Sequence, residues 1–163
     1  ESRVIPNILG AAVQWSPDNK SILIRDVLVK QDQYQYDTQL FLYDLASKTL
    51  TNVNANVTMD NILAAWSPDG KFIAVVRSDL NAPRGDQIWL MHADGSEAHV
   101  ITNMPAVSHG RLNWSPDGKY ILYDLYLLDS IPLTSRLEVV DVENGQVTNL
   151  NVIGYNPKWI WQS

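Results

Sequence analysis

The sequence predicts an all-β chain organised as a segment of a β-propeller, and three observations predict it. Trp-Ser-Pro-Asp recurs at Trp15, Trp66 and Trp114, 51 and 48 residues apart, and each copy is closed by a lysine, at Lys20, Lys71 and Lys119. A Thr-Asn pair recurs in the same order, at Thr51-Asn52, Thr102-Asn103 and Thr148-Asn149. Between these anchors lie short β-type runs and tight turns, with no helical periodicity. A period of this length marks a repeat architecture, and four short strands per unit is the pattern of a propeller blade.

Each unit reads in the same order. A first apolar run leads into the tryptophan: Ala11 to Trp15, Ile62 to Trp66 and Arg111 to Trp114. The turn Ser-Pro-Asp-(Asn/Gly)-Lys follows. Proline presets φ at its first central position (Pro17, Pro68, Pro116), and aspartate suits the next (Asp18, Asp69, Asp117). Asn19, Gly70 and Gly118 then fall where a left-handed backbone is expected, and Asn and Gly tolerate that conformation best. A second run covers Ser21 to Val29, Phe72 to Arg77 and Tyr120 to Tyr126. A third covers Gln39 to Asp44, Gln87 to His92 and Arg136 to Asp141, and the fourth ends in Thr-Asn. One tryptophan per unit at one place predicts packing between neighbouring blades.

These anchors place blade one at about residues 8–53, blade two at about 61–103 and blade three at about 110–150. Residues 156–163 read as the start of a fourth blade, with Trp161 aligned on the motif tryptophans at a spacing of 47. Residues 2–7 match His99 to Asn103 in pattern and read as the last strand of a preceding blade. Propellers close with about 4–8 blades, so three blades would leave open edges that invite association. Two explanations stand. The chain is a piece of a longer propeller, or two copies assemble as a homodimer into a six-bladed ring.

Bulk properties narrow the functional classes. The 163 residues suffice for one domain, and 45% hydrophobic with 18% charged residues is a globular composition. A net charge of −6 without a Lys/Arg cluster argues against nucleic acid as a partner. Cysteine is absent, which removes disulfides and thiolate metal sites. No apolar run is long enough for a membrane span. Starting at Glu1 with no signal-like segment, the chain reads as a mature protein or excised domain.

The motif Trp-Ser-Pro-Asp-Gly-Lys resembles the TolB-like, WD-like β-propeller repeat, and the resemblance covers essentially the whole chain. It implies an extracytoplasmic (periplasmic or extracellular) bacterial protein. It leaves function open, because such repeats serve in periplasmic scaffolds, in peptidase propeller domains and in polysaccharide-degrading enzymes.

Loop lengths alternate and single out one face. The first-to-second and third-to-fourth turns are short. The second-to-third connections (Lys30 to Thr38, Asp79 to Asp86, Leu127 to Ser135) and the connections between blades are longer. Up-and-down topology places both long classes on one face, and binding residues concentrate on variable loops held by a rigid scaffold. Candidate binding residues there are Tyr34, Tyr36, Asp37, Asp60, Arg84, Asp86, His109, Arg111, Asp129 and Arg136. Aromatic groups beside Arg and Asp suit a protein, peptide or glycan partner.

Catalytic signals are weak. No Gly-x-Ser-x-Gly elbow, P-loop or dinucleotide glycine pattern is present. Ser108 and His109 are adjacent, which is not triad geometry. His92 and His99 flank a turn, and a zinc site would need at least a third ligand. Asn56-Val57-Thr58 is a formal glycosylation sequon, relevant only to a eukaryotic secreted protein. The expectation is no cofactor, no metal and no catalytic residue in this chain. The function expected is a non-enzymatic scaffold binding through its long-loop face. The alternative is the propeller portion of a larger enzyme, a serine peptidase of the prolyl oligopeptidase type or a polysaccharide lyase, with its catalytic part elsewhere.

Overall fold

A computed structural model describes residues 12–29, 36–53, 59–79 and 85–160. Expectations for segment 2–7, Tyr34, Arg84, the sequon at 56–58 and Trp161 fall outside the described residues.

The described residues form three antiparallel sheets and no helix. Blade one contains β1 (Ala12–Trp15), β2 (Ser21–Val29), β3 (Tyr36–Asp44) and β4 (Leu50–Asn52), paired in chain order. Blade two repeats this with β5 (Met59–Trp66), β6 (Phe72–Asp79), β7 (Gln87–His92) and β8 (His99–Val100). In blade three the first strand is split into β9 (Val107–His109) and β10 (Asn113–Trp114). Both pieces pair with β11 (Tyr120–Leu127), which pairs with β12 (Thr134–Asp141), and β12 pairs with β13 (Val147–Asn149). The sheets do not close on themselves, as expected of an incomplete propeller.

The register repeats with the motif. Trp15 faces Ile22, Trp66 faces Ile73 and Trp114 faces Ile121. Two departures from the sequence reading have local causes. A single first strand from Arg111 to Trp114 is replaced by the β9–β10 pair, because the chain breaks register around Gly110. Blade two carries its bulge between Asn61 and Leu63, the matching place in the repeat. The Thr102-Asn103 pair lies beyond the end of β8. There the Thr102 hydroxyl donates to Gln87 Oε1 at 2.9 Å and accepts from the Ile88 amide at 2.9 Å, so a side chain takes over from the ladder.

The turns follow the same chemistry in all three blades. Ser16, Ser67 and Ser115 donate Oγ–H to Asp18, Asp69 and Asp117 at 2.6–2.7 Å. The same aspartates accept the amides of Lys20, Lys71 and Lys119 at 3.1–3.2 Å. Asn19, Gly70 and Gly118 take φ of 58°, 72° and 72°, the left-handed backbone expected from sequence.

The core lies between sheets. Leu23, Leu40 and Val53 of blade one pack on Ile73, Val75 and Met91 of blade two, with Trp66 half-buried against them. Ala74, Ile88, Leu90 and Ile101 of blade two pack on Trp114, Ile121, Tyr123 and Val140 of blade three. Strand β6 therefore has an apolar residue at nearly every position: alternate side chains serve opposite neighbours. The tryptophan expectation holds at Trp114, 9% exposed, and fails at Trp15, 57% exposed, because no described sheet lies on that side of blade one.

Candidate functional site

Three of the expected binding residues are used to hold blades together. Asp60 accepts the Thr38 amide at 3.0 Å, and neighbouring Asn61 donates to the Thr38 carbonyl at 2.7 Å, joining blades one and two. Asp86 and His109 are both buried, and Asp86 also lines a cleft at the long-loop end. The Asp86 carboxylate accepts the Ser108 hydroxyl at 2.8 Å, the His109 amide at 2.8 Å and, as an ion or hydrogen-bonded pair, His109 Nδ1 at 2.7 Å.

This cluster has the residue types of a hydrolytic triad in the wrong order. Catalysis needs the serine bonded to the histidine, which takes its proton. Here the aspartate stands between them, and His109 Nε2 is buried without a partner. The histidine ring instead lies 5.2 Å from that of Tyr123, which donates to Glu138 Oε2 at 3.1 Å. Burial, and then the Glu138 charge, push the Tyr123 hydroxyl well above the ordinary phenol range. Arg136 closes the series with Nε on Glu138 Oε1 at 2.7 Å. Arg136 is thus tied to a buried acid and half-exposed, whereas Arg111 and Asp129 are exposed. Tyr36 and Asp37 lie at the start of β3, at the long-loop end of blade one.

The histidines of the second hairpin do not converge on an ion. His92 Nε2 meets Glu97 Oε2 at 3.2 Å, and His99 Nδ1 meets the Glu97 carbonyl at 2.9 Å. Among the described residues no group of three or more His, Cys, Asp or Glu could hold a metal. The short turns offer little either, since each aspartate is satisfied by its own serine and lysine amide.

The long-loop end of blade two holds a cleft that sequence reasoning missed. About 310 Å³ in volume, it is lined by Met59, Arg77, Asp79, Gln87, Trp89 and Met104, among others. Arg77 is 4% exposed. Its Nε donates to Asn61 Oδ1 at 2.9 Å, its Nη2 meets Met91 Sδ at 3.3 Å, and its guanidinium carbon lies 5.5 Å from the Trp89 ring centre. Burial pushes its pKa down to about 10, so it stays charged at neutral pH. One signal was available in the sequence: alternation along β6 puts Arg77 on the same face as Ile73 and Val75.

Comparison with known proteins agrees with this architecture. Residues 16–149 match the sequence family described as the dipeptidyl peptidase IV (DPP IV) N-terminal region. No curated protein matches the chain. Among solved structures, a TolB-type protein from Agrobacterium tumefaciens is similar at 26% identity and a TM-score of 0.68, over 87% of this chain and 49% of that one. TolB from Acinetobacter baumannii is similar at 16% identity and a TM-score of 0.65, over 86% of this chain and 32% of that one. The acylaminoacyl peptidase of Pyrococcus horikoshii shares the fold at 16% identity and a TM-score of 0.61, over 78% of this chain and 23% of that one. The chain therefore spans half or less of the length of each of these structures.

Proposed function

The chain belongs to the dipeptidyl peptidase IV N-terminal region family, and from that premise we propose that it is a non-catalytic propeller scaffold that binds a protein or peptide partner through its long-loop face. One observation carries this reading. The serine and aspartate side chains of the Ser-Pro-Asp turns bond within their own turns, whereas the long-loop end of blade two combines a cleft with a buried cation and an aromatic wall. Asp86, Ser108 and His109 brace that end rather than perform chemistry. The similarity to TolB structures and to the TolB-like repeat supports an extracytoplasmic setting as part of the same proposal. No helix among the described residues is long and apolar enough to cross a membrane.

The test compares the two faces. Peptide and glycan arrays are probed with the chain, with the long-loop variants Arg111→Glu and Asp129→Lys, and with the short-turn variants Lys20→Glu and Lys119→Glu. Binding lost only in the long-loop variants supports the proposal. Binding lost only in the short-turn variants removes it.

A second reading, the propeller portion of a larger peptidase, is favoured by the family match and by the likeness to acylaminoacyl peptidase. The gene decides between them: a Gly-x-Ser-x-Gly segment encoded beyond this region establishes the peptidase reading.

A further inference from the structure

We infer that the blade-two cleft is a binding site for a single carboxylate carried on an apolar body, of the kind a peptide C-terminus presents, with Arg77 as its anchor. The inference rests on the long-loop reading above and adds a ligand class to it.

Arg77 is a buried charge without a counter-charge among the described residues: no ion pair joins a carboxylate to it, and its guanidinium borders the cleft. Its two bonds go to a neutral amide and a thioether, the second a weak acceptor. Burying a cation this way is costly, and an anion bonded to it offsets part of that cost. A carboxylate or a phosphate suits a guanidinium, because charge-assisted bonds to it are short and directional.

The walls narrow the ligand further. Met59, Met104 and the Trp89 ring present apolar surface beside the charge. Asp79 stands on the same strand face two residues beyond Arg77 and is itself engaged. Asp86 also lines the cleft, with both carboxylate oxygens already occupied by Ser108 and His109. These two negative groups oppose polyanions such as phosphates or oligouronates. A monoanion meets less of that repulsion than a polyanion does, and a C-terminal residue with a hydrophobic side chain pairs one such charge with apolar surface.

The test uses the whole chain and three probes: N-acetyl-Ala-Ala-Phe with a free carboxylate, the same peptide as its C-terminal amide, and 3-phenylpropanoate. Binding is read from the Arg77 Nε–H and Trp89 indole NMR resonances. The peptide acid should shift both, with affinity at least about tenfold above the amide, as expected for a lost charge-assisted bond. Arg77→Met should abolish that preference while leaving binding of the amide unchanged, a discrimination that a purely structural arginine would not produce; its melting temperature should fall, because buried Asn61 Oδ1 loses its donor. If 3-phenylpropanoate matches the peptide acid, the site holds and the source is a small free acid. If it binds more weakly, the source is a peptide. Equal binding of acid and amide, no shift with any probe, or unchanged binding in Arg77→Met overturns the inference. Should Arg77→Met not fold, the acid–amide comparison on the unaltered chain still decides. Failure here leaves the long-loop reading standing, since that is tested at Arg111 and Asp129 on blade three.

Discussion

Trp114 donates its indole Nε1–H to the carbonyl of Ala65 at 3.1 Å, a bond from blade three to blade two. Trp159 repeats it one step on, with Nε1 on the Asn113 carbonyl at 2.9 Å. In both cases the acceptor is the residue immediately before the preceding blade's tryptophan. Trp159 thus makes an inter-blade contact two residues before Trp161, the residue that the repeat spacing aligns with the motif tryptophans and that lies outside the described residues. Trp66 departs from the pattern: its Nε1 is buried without a partner.

Removing this contact should separate packing from hydrogen bonding. Trp114→Ala should cost about 3–5 kcal/mol, as for large core truncations. Trp114→Phe should cost roughly 1–3 kcal/mol, mainly because the Ala65 carbonyl loses its donor. Trp15→Ala should stay within about 1 kcal/mol, as expected of a largely exposed residue. Urea unfolding of the three variants gives the comparison, and equal losses at Trp15 and Trp114 would contradict the inter-blade assignment.

The turn aspartates give a pH prediction. The Ser115 hydroxyl, then the Lys119 amide, hold the Asp117 carboxyl below the usual aspartate range. A depressed folded-state pKa contributes stability that is present above the unfolded value of about 3.9 and lost as pH falls through the folded value. Ser115→Ala should raise the Asp117 pKa toward that reference and flatten the acid limb of the stability profile. Carbon-detected NMR titration of the carboxylate measures it directly, and an unmoved Asp117 would show that the serine bond is not its cause.

Two glycines mark where one blade's hairpin touches the previous blade. An added Cβ at Gly145, φ 69°, would stand 3.1 Å from the Ile101 carbonyl oxygen. At Gly95, φ 87°, it would collide with the Val53 carbonyl. Gly145→Ala should cost about 1–2 kcal/mol from the left-handed backbone alone, and Gly95→Ala more, because backbone must move. Thermal unfolding should rank them in that order.

The Asp86 cluster distinguishes bracing from catalysis. Asp86→Ala strands two buried donors of His109 and should cost about 3–5 kcal/mol. Ser108→Ala removes one bond to a charged acceptor and should cost roughly 1.5–3 kcal/mol. Chemical denaturation tests both. A fully stable Asp86→Ala protein would reopen a functional role for the cluster.

The open edges bear on assembly. Val53 and Ile101 are buried under the next blade's hairpin, while Leu150, which bonds the Leu137 carbonyl as Val53 and Ile101 bond Leu40 and Ile88, is 40% exposed. In a two-copy ring, the turn at 45–48 of one copy would cover Leu150 of the other, as the Gly95 and Gly145 turns cover Val53 and Ile101, and Trp15 would replace Trp159 on the Asn113 carbonyl. Light scattering should then show the mass doubling with concentration, and Trp15→Lys with Leu150→Lys should stay monomeric. A strict monomer at high concentration would remove the two-copy ring.

The sequence by itself determined everything whose cause lies within a few residues. Ser-Pro-Asp-(Asn/Gly)-Lys carries its own donors, acceptors and left-handed residue, so the turns, the strand order and the period were legible from residue types alone. Tertiary structure decided which copy of an identical motif is buried. Trp15 and Trp114 have the same local sequence and differ in exposure because burial depends on the neighbouring sheet, not on the motif. For the same reason His109 and Asp86, polar loop residues in sequence, became a buried brace, and Arg77, one charge in an apolar strand, became the anchor of a cleft. Hydrogen bonds across five residues can be read along a chain, whereas contacts between blades some fifty residues apart exist only once the sheets have stacked.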